Sequence, residues 1–127
     1  MIDLIQITND PALARRCDAL EGMRLFVDLE RNGKAERQAG RNTFISTHTL
    51  HDVGCIKAVL HRSKLMVRVN PLFQGSAAEV NAVLGRGADR LMLPMFTRAQ
   101  ELRDFCALVA GRRPVVALLE TAQALEC

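Results

Sequence analysis

Tryptophan and tyrosine are absent from this chain of 127 residues, and five phenylalanines are its only large aromatics. Proteins that grip nucleic acid stack bases on aromatic rings and gather lysine and arginine on one face. Here the net charge is only +3 and the basic residues are scattered, so no nucleic-acid partner is expected. Long apolar runs are also missing. Nothing approaches the roughly 20 residues that cross a bilayer, and Asp3 follows Met1 too closely for a secretory leader. No membrane partner is expected, and the location is expected to be cytoplasmic. No glycine-rich phosphate loop follows the first apolar run, where Thr8-Asn9-Asp10-Pro11 stands instead. The four cysteines (Cys17, Cys55, Cys106, Cys127) lack metal-finger spacing. Three fall within helical patterns, so buried free thiols are expected, in keeping with a reducing compartment.

What the chain does have is a hydrophobic fraction of 49%, enough for one globular domain over residues 1–127 with a core of its own. Apolar runs at residues 2–7, 24–29, 65–69, 90–93 and 114–119 read as strands. Between them lie segments with helical periodicity. Asp10 and Pro11 start the first, whose face is Leu13, Cys17 and Leu20 and whose end is Gly22. Thr49 to Asp52 and Ser76 to Glu79 both resemble capping boxes. Thr97, with Gln100 three residues on, starts another helix, with Leu102, Phe105, Cys106 and Val109 on its face. Residues 31–48 form a long irregular stretch carrying Arg31, Lys34, Arg37 and Arg41; loops of that length inside a domain are commonly functional or mobile.

The pattern is β-α five times over. Strands apolar on both sides are buried on both sides, which predicts a parallel sheet covered by helices. Two architectures suit it: a (β/α)8 barrel truncated after about five β-α units, or a five-stranded doubly wound sheet. In either, all strands end at one face, where such folds bind ligands. Thr8, Asp28, Glu30, Arg68, Asn70 and Glu120 gather at those ends. Arg68 stands out, because a permanent charge near the end of a buried strand needs an anionic partner. That partner is either an internal carboxylate or a bound anion. Carboxylates at such a face can hold Mg²⁺ or Mn²⁺, and an arginine can fork onto a substrate carboxylate or its enolate.

Four segments together resemble the HpcH/HpaI aldolase/citrate lyase family: Phe26-Val27-Asp28-Leu29-Glu30, Val67-Arg68-Val69-Asn70-Pro71, Gly87-Ala88-Asp89-Arg90-Leu91-Met92-Leu93-Pro94 and Leu118-Leu119-Glu120-Thr121-Ala122. The resemblance implies a (β/α)8 barrel and a carbon–carbon lyase that uses a divalent metal, Mg²⁺ or Mn²⁺, to stabilise a pyruvate-like enolate. It implies Arg68, Asp28 and Glu30 as catalytic residues and Glu120 as a metal ligand. Arg68, Asn70, Lys34 and Arg37 would hold the small-molecule carboxylate substrate. Arg31 replaces the aspartate that citrate lyase-like members carry, and Met95 replaces a lysine after the fourth strand, which lowers the thioester branch. The family's histidine after the second strand has no clear counterpart: His48 is nearest, and both it and His51 read as polar surface. A barrel of this type spans about 250 residues, so the chain is expected to be its N-terminal portion, with open edges on the first and fifth strands and a tendency to homo-oligomerise. The alternative is a non-catalytic remnant that associates through those edges.

Overall fold

The apolar runs do become strands. The computed structural model describes residues 2–33, 40 and 46–127. Among these the elements run β1 (Leu4–Ile7), α1 (Pro11–Asp18), β2 (Met23–Asp28), α2 (Leu50–Ala58), β3 (Leu65–Arg68), α3 (Ser76–Gly85), β4 (Arg90–Leu93), α4 (Ala99–Val109) and β5 (Val115–Ala117), followed by a 3₁₀ turn (Gln123–Glu126). The five strands form one sheet in the order β1-β2-β3-β4-β5, and every neighbouring pair is parallel. A doubly wound sheet reverses its strand order at a switch point. This sheet does not, and right-handed crossovers then put every helix on the same side. The winding is that of a (β/α)8 barrel.

Strand alternation sorts the side chains between two faces. Leu25, Val27, Leu65, Val67, Leu91 and Leu93 turn to the helices and form one core with Val53, Ile56, Val80, Val83, Phe105 and Val109. Phe26, Asp28, Met66 and Arg68 alternate onto the other face. Burial on both faces is most complete on β2 and β3, is partial on β4, where Arg90 and Met92 are only half-buried, and fails at the edge: Leu4, Ile5 and Ile7 of β1 are each about half exposed or more.

Helix starts show where local chemistry was read correctly and where it was not. Asp10 accepts from the Ala12 N–H and Pro11 opens α1. Thr49 and Asp52 form both arms of a capping box on α2. Ser76 does not cap α3. It lies inside the helix behind Gly75, and its Oγ accepts from the Phe73 N–H, while Glu79 reaches Asn70 instead. At α4 the carboxylate that accepts the Thr97 and Arg98 N–H groups is Glu101, not Gln100. Glutamate is the better partner there, since its charge also suits the positive end of the helix dipole. α1 ends at Asp18 rather than near Gly22, which leaves Leu20 exposed. The four thiols are free, but only Cys17 is buried; Cys106 and Cys127 are exposed. Cys106 follows the buried Phe105 by one residue, about 100° further round the helix.

Gly87 illustrates a position only glycine fills. Its φ is +97°, and a Cβ there would meet Lys57 Cγ at 2.8 Å. Lys57 is in turn held by Asp89, whose Oδ2 also accepts the Leu65 N–H. Gly87→Ala should therefore lower stability by about 1–2 kcal/mol, read as a shift in urea midpoint with an unchanged slope.

Candidate active site

The parallel register sets Asp28, the last residue of β2, beside Arg68, the last residue of β3. Arg68 donates through Nε to Asp28 Oδ1 at 3.0 Å and through Nη2 to Oδ2 at 2.7 Å. That two-pronged geometry is specific to a guanidinium on a carboxylate. Nε also lies 3.2 Å from Glu30 Oε2, and the guanidinium sits 5.7 Å from the centre of the Phe26 ring. Asp28 and Glu30 are both buried, at 3% and 2% exposure. The hydrogen bonds that Arg68 donates to Asp28, opposed by burial and reinforced by the charges of Asp28, Glu30 and Glu120, hold the Arg68 pKa above its ordinary value. The internal ion pair is thus real, yet it takes up only one edge of the fork: among the described residues, Nη1 has no protein partner.

Asn70 lies two residues past Arg68 and is engaged within the fold. Its Oδ1 accepts the N–H groups of Arg31 and Asn32. Its own N–H and Nδ2 donate to the two oxygens of Glu79 at 2.9 and 2.6 Å. Burial raises the Glu79 pKa, and the bonds from Asn70 act against that rise. Asn70 thereby ties the segment after β2 to α3.

His48 is not surface. It is 6% exposed, and its Nδ1 accepts the Asp28 N–H at 3.1 Å. An accepting Nδ1 fixes the neutral ring with its proton on Nε2. Burial lowers the His48 pKa, against the pull of Asp52 and Asp28, so the neutral form is favoured twice over. Arg31 donates to the His48 carbonyl at 2.6 Å. A cleft of about 520 Å³ opens beside His48, Arg31 and Glu79, walled by Leu29 and Leu50. Arg68 is not among its walls, because Leu29 turns to the helix side while Asp28 turns to the other.

Glu120 follows β5 at the same end of the sheet. It is exposed, its Oε1 accepts the Met95 N–H at 3.0 Å, and it is near enough for its charge to act on Arg68. Met95 adopts φ 55° to present that N–H. Thr121 donates to the Phe96 carbonyl at 2.7 Å and so pins the segment after β5 to the one after β4.

Arginine, two buried acids and a third carboxylate thus stand at the carboxyl ends of β2, β3 and β5 in one parallel sheet, and the model of the HpcH/HpaI aldolase/citrate lyase family matches residues 6–126. The chain belongs to the HpcH/HpaI aldolase/citrate lyase family. No curated protein matches it. The family points to lyase chemistry of the aldolase or citrate lyase kind.

HpcH/HpaI family resemblance also implied a divalent metal. Among the described residues, no three His, Cys, Asp or Glu side chains converge as a ligand set. Mg²⁺, however, is commonly held by one or two carboxylates, with water and substrate completing its shell. Glu120, exposed and steadied by Met95, can serve as one such ligand. Lys34 and Arg37 lie outside the described residues. Sequence reasoning named His48 as the nearest counterpart of the family's histidine but read it as polar surface, and the structure buries it. Its position just before the Thr49 capping box delivers it to the end of β2.

Proposed function

We propose that the chain is a carbon–carbon lyase acting on a 2-oxo acid or related carboxylate through an enolate. The observation that carries this reading is the fork of Arg68, fixed on one edge by Asp28 and Glu30 and, among the described residues, without a protein partner at Nη1, at the end of the sheet where this fold binds its ligands. Cleaving a bond next to a carbonyl leaves negative charge on the carbonyl oxygen. A guanidinium already oriented and largely desolvated stabilises that charge without having to reorganise. Asp28 and Glu30 serve as positioning residues: they accept only, so they lock the fork while giving up no proton to it. Asn70 and Glu79 hold the neighbouring loop, and Lys34 and Arg37 supply further positive charge for the substrate carboxylate. A divalent cation, Mg²⁺ or Mn²⁺, at Glu120 would supply a second positive centre for the developing enolate. The setting is cytoplasmic.

Pyruvate tests the reading without knowledge of the acceptor. With Mg²⁺ or Mn²⁺ present, the chain should exchange pyruvate methyl protons for deuterium, followed by NMR. Glu120→Gln should reduce that exchange at least about a hundredfold, and chelating the metal should do the same to the unaltered protein. Full exchange in the Glu120→Gln variant would remove Glu120 from the metal site. No exchange with any 2-oxo acid would overturn the lyase reading.

A second reading is association through the sheet edge. The exposed Ile2, Leu4, Ile5 and Ile7 favour it, because an open apolar strand is a template for pairing. In this reading the protein forms homo-oligomers, and Ile5→Lys should shift sedimentation toward the monomer. A monomer at every concentration would set it aside.

A further inference from the structure

Away from the charged cluster, α2 carries a second pair of chemically active side chains. His51 and Cys55 are four residues apart, which on a helix places them one above the other on the same face. Cys55 Sγ lies 3.2 Å from His51 Nε2. The pair is held there by the start of the helix. Thr49 N–H donates to Asp52 Oδ2 at 2.7 Å, and Asp52 N–H donates back to Thr49 Oγ1, so the turn containing His51 is fixed from both sides. His51 is exposed and Cys55 partly so.

The other thiols sit differently. Cys17 is buried. Cys127 is exposed, and its thiol donates to the Ala124 carbonyl, which takes no proton. Cys106 is exposed on α4, with no imidazole beside it among the described residues. Solvent access alone therefore ranks Cys106 and Cys127 ahead of Cys55. A neighbouring base ranks Cys55 first, since a thiol becomes an effective nucleophile once a base within hydrogen-bond reach accepts its proton. Neither His51 nor Cys55 lines a described cavity, so the arrangement has no enclosed place for a substrate. It suits a small electrophile that arrives from solvent.

We propose that Cys55 is a site of base-assisted thiol–disulfide exchange that accepts a small thiol from a low-molecular-weight disulfide. His51 Nε2 takes the proton from Cys55 Sγ. The sulfur attacks one sulfur of the disulfide, whose S–S bond breaks as the Cys55 mixed disulfide forms. The departing thiolate takes the proton back from His51 and leaves as free thiol. The disulfide is the oxidant, and no further electrons are needed.

The reduced chain is exposed to glutathione disulfide, quenched with acid at intervals and mapped by peptide mass. Cys55 should gain the adduct at least about ten times faster than Cys106 or Cys127. His51→Gln, a change at an exposed position, should slow Cys55 by about the same factor while leaving the other two thiols unchanged, and circular dichroism confirms that the helix persists. Modification of Cys106 or Cys127 first would overturn the proposal. So would a Cys55 rate indifferent to the His51 substitution.

Discussion

Arg68→Met should cost the protein both its enolisation chemistry and about 3 kcal/mol of stability. The two losses share one origin. Asp28 and Glu30 are buried within a few per cent of completely, and the guanidinium at 2.7–3.2 Å provides a cation that helps to offset their desolvation. Methionine fills similar volume but offers the two buried acids neither charge nor donor. Urea unfolding checks the loss of stability. Arg68→Lys separates structure from chemistry. Lysine keeps the charge but not the fork, so it should restore most of the stability while pyruvate proton exchange stays at least about a hundredfold down. If the lysine variant exchanged at full rate, the two-pronged geometry would be irrelevant to the reaction. If the methionine variant did, Arg68 would be a structural ion pair and nothing more.

How much of this was legible in the sequence depended on the range of the interaction. Alternating and continuous apolar runs place strands well, because burial is decided residue by residue; β4 falls where its run predicts, and β2 and β3 are the most deeply buried of the five. Strand order was open at that stage, since nothing in periodicity distinguishes a sheet wound one way from a sheet wound both ways. Hydrogen-bond pairing between distant residues settles it. The meeting of Asp28 with Arg68 was foreseeable in kind, because both stood at strand ends, but their exact register across 40 positions was not. The errors were local competitions. Ser76 and Glu79 have capping-box spacing, yet Asn70 offers Glu79 two donors at once, a better use of a half-buried carboxylate than a single helix N–H. His48 read as loop surface because its partner, a backbone N–H at the end of β2, carries no mark in sequence. Backbone donors left over at a strand end are invisible until the neighbouring strand stops short.

The same blindness hid Asp18, and Asp18→Asn should lower stability by about 2 kcal/mol at neutral pH. In sequence it is one acid on a helix with Arg15 and Arg16 nearby. In the fold it is 5% exposed and receives three consecutive backbone N–H groups, from His61 at 2.9 Å, Arg62 at 2.9 Å and Ser63 at 2.7 Å. Its place at the C-terminal end of α1 is the wrong one for an anion as far as the helix dipole is concerned. Arg62 answers that by donating to the carbonyls of Asp18 and Ala19. Burial pushes the Asp18 pKa upward, and the N–H groups of Ser63, Arg62 and His61 outweigh it, bringing the value from 3.8 down to about 2. The sign of the pH effect follows. A pKa depressed in the folded state means the unfolded chain binds the proton more tightly, so the stabilisation is fully present above about pH 4 and is lost as pH falls toward 2. Asparagine has one acceptor oxygen where the carboxylate has two, and its amide hydrogens would face backbone donors. The gap in unfolding free energy between the unaltered chain and Asp18→Asn should therefore be widest near neutral pH and close progressively between about pH 4 and pH 2. A gap that stays constant over that range would mean the loss comes from packing of the amide rather than from the charge that joins α1 to the segment entering β3.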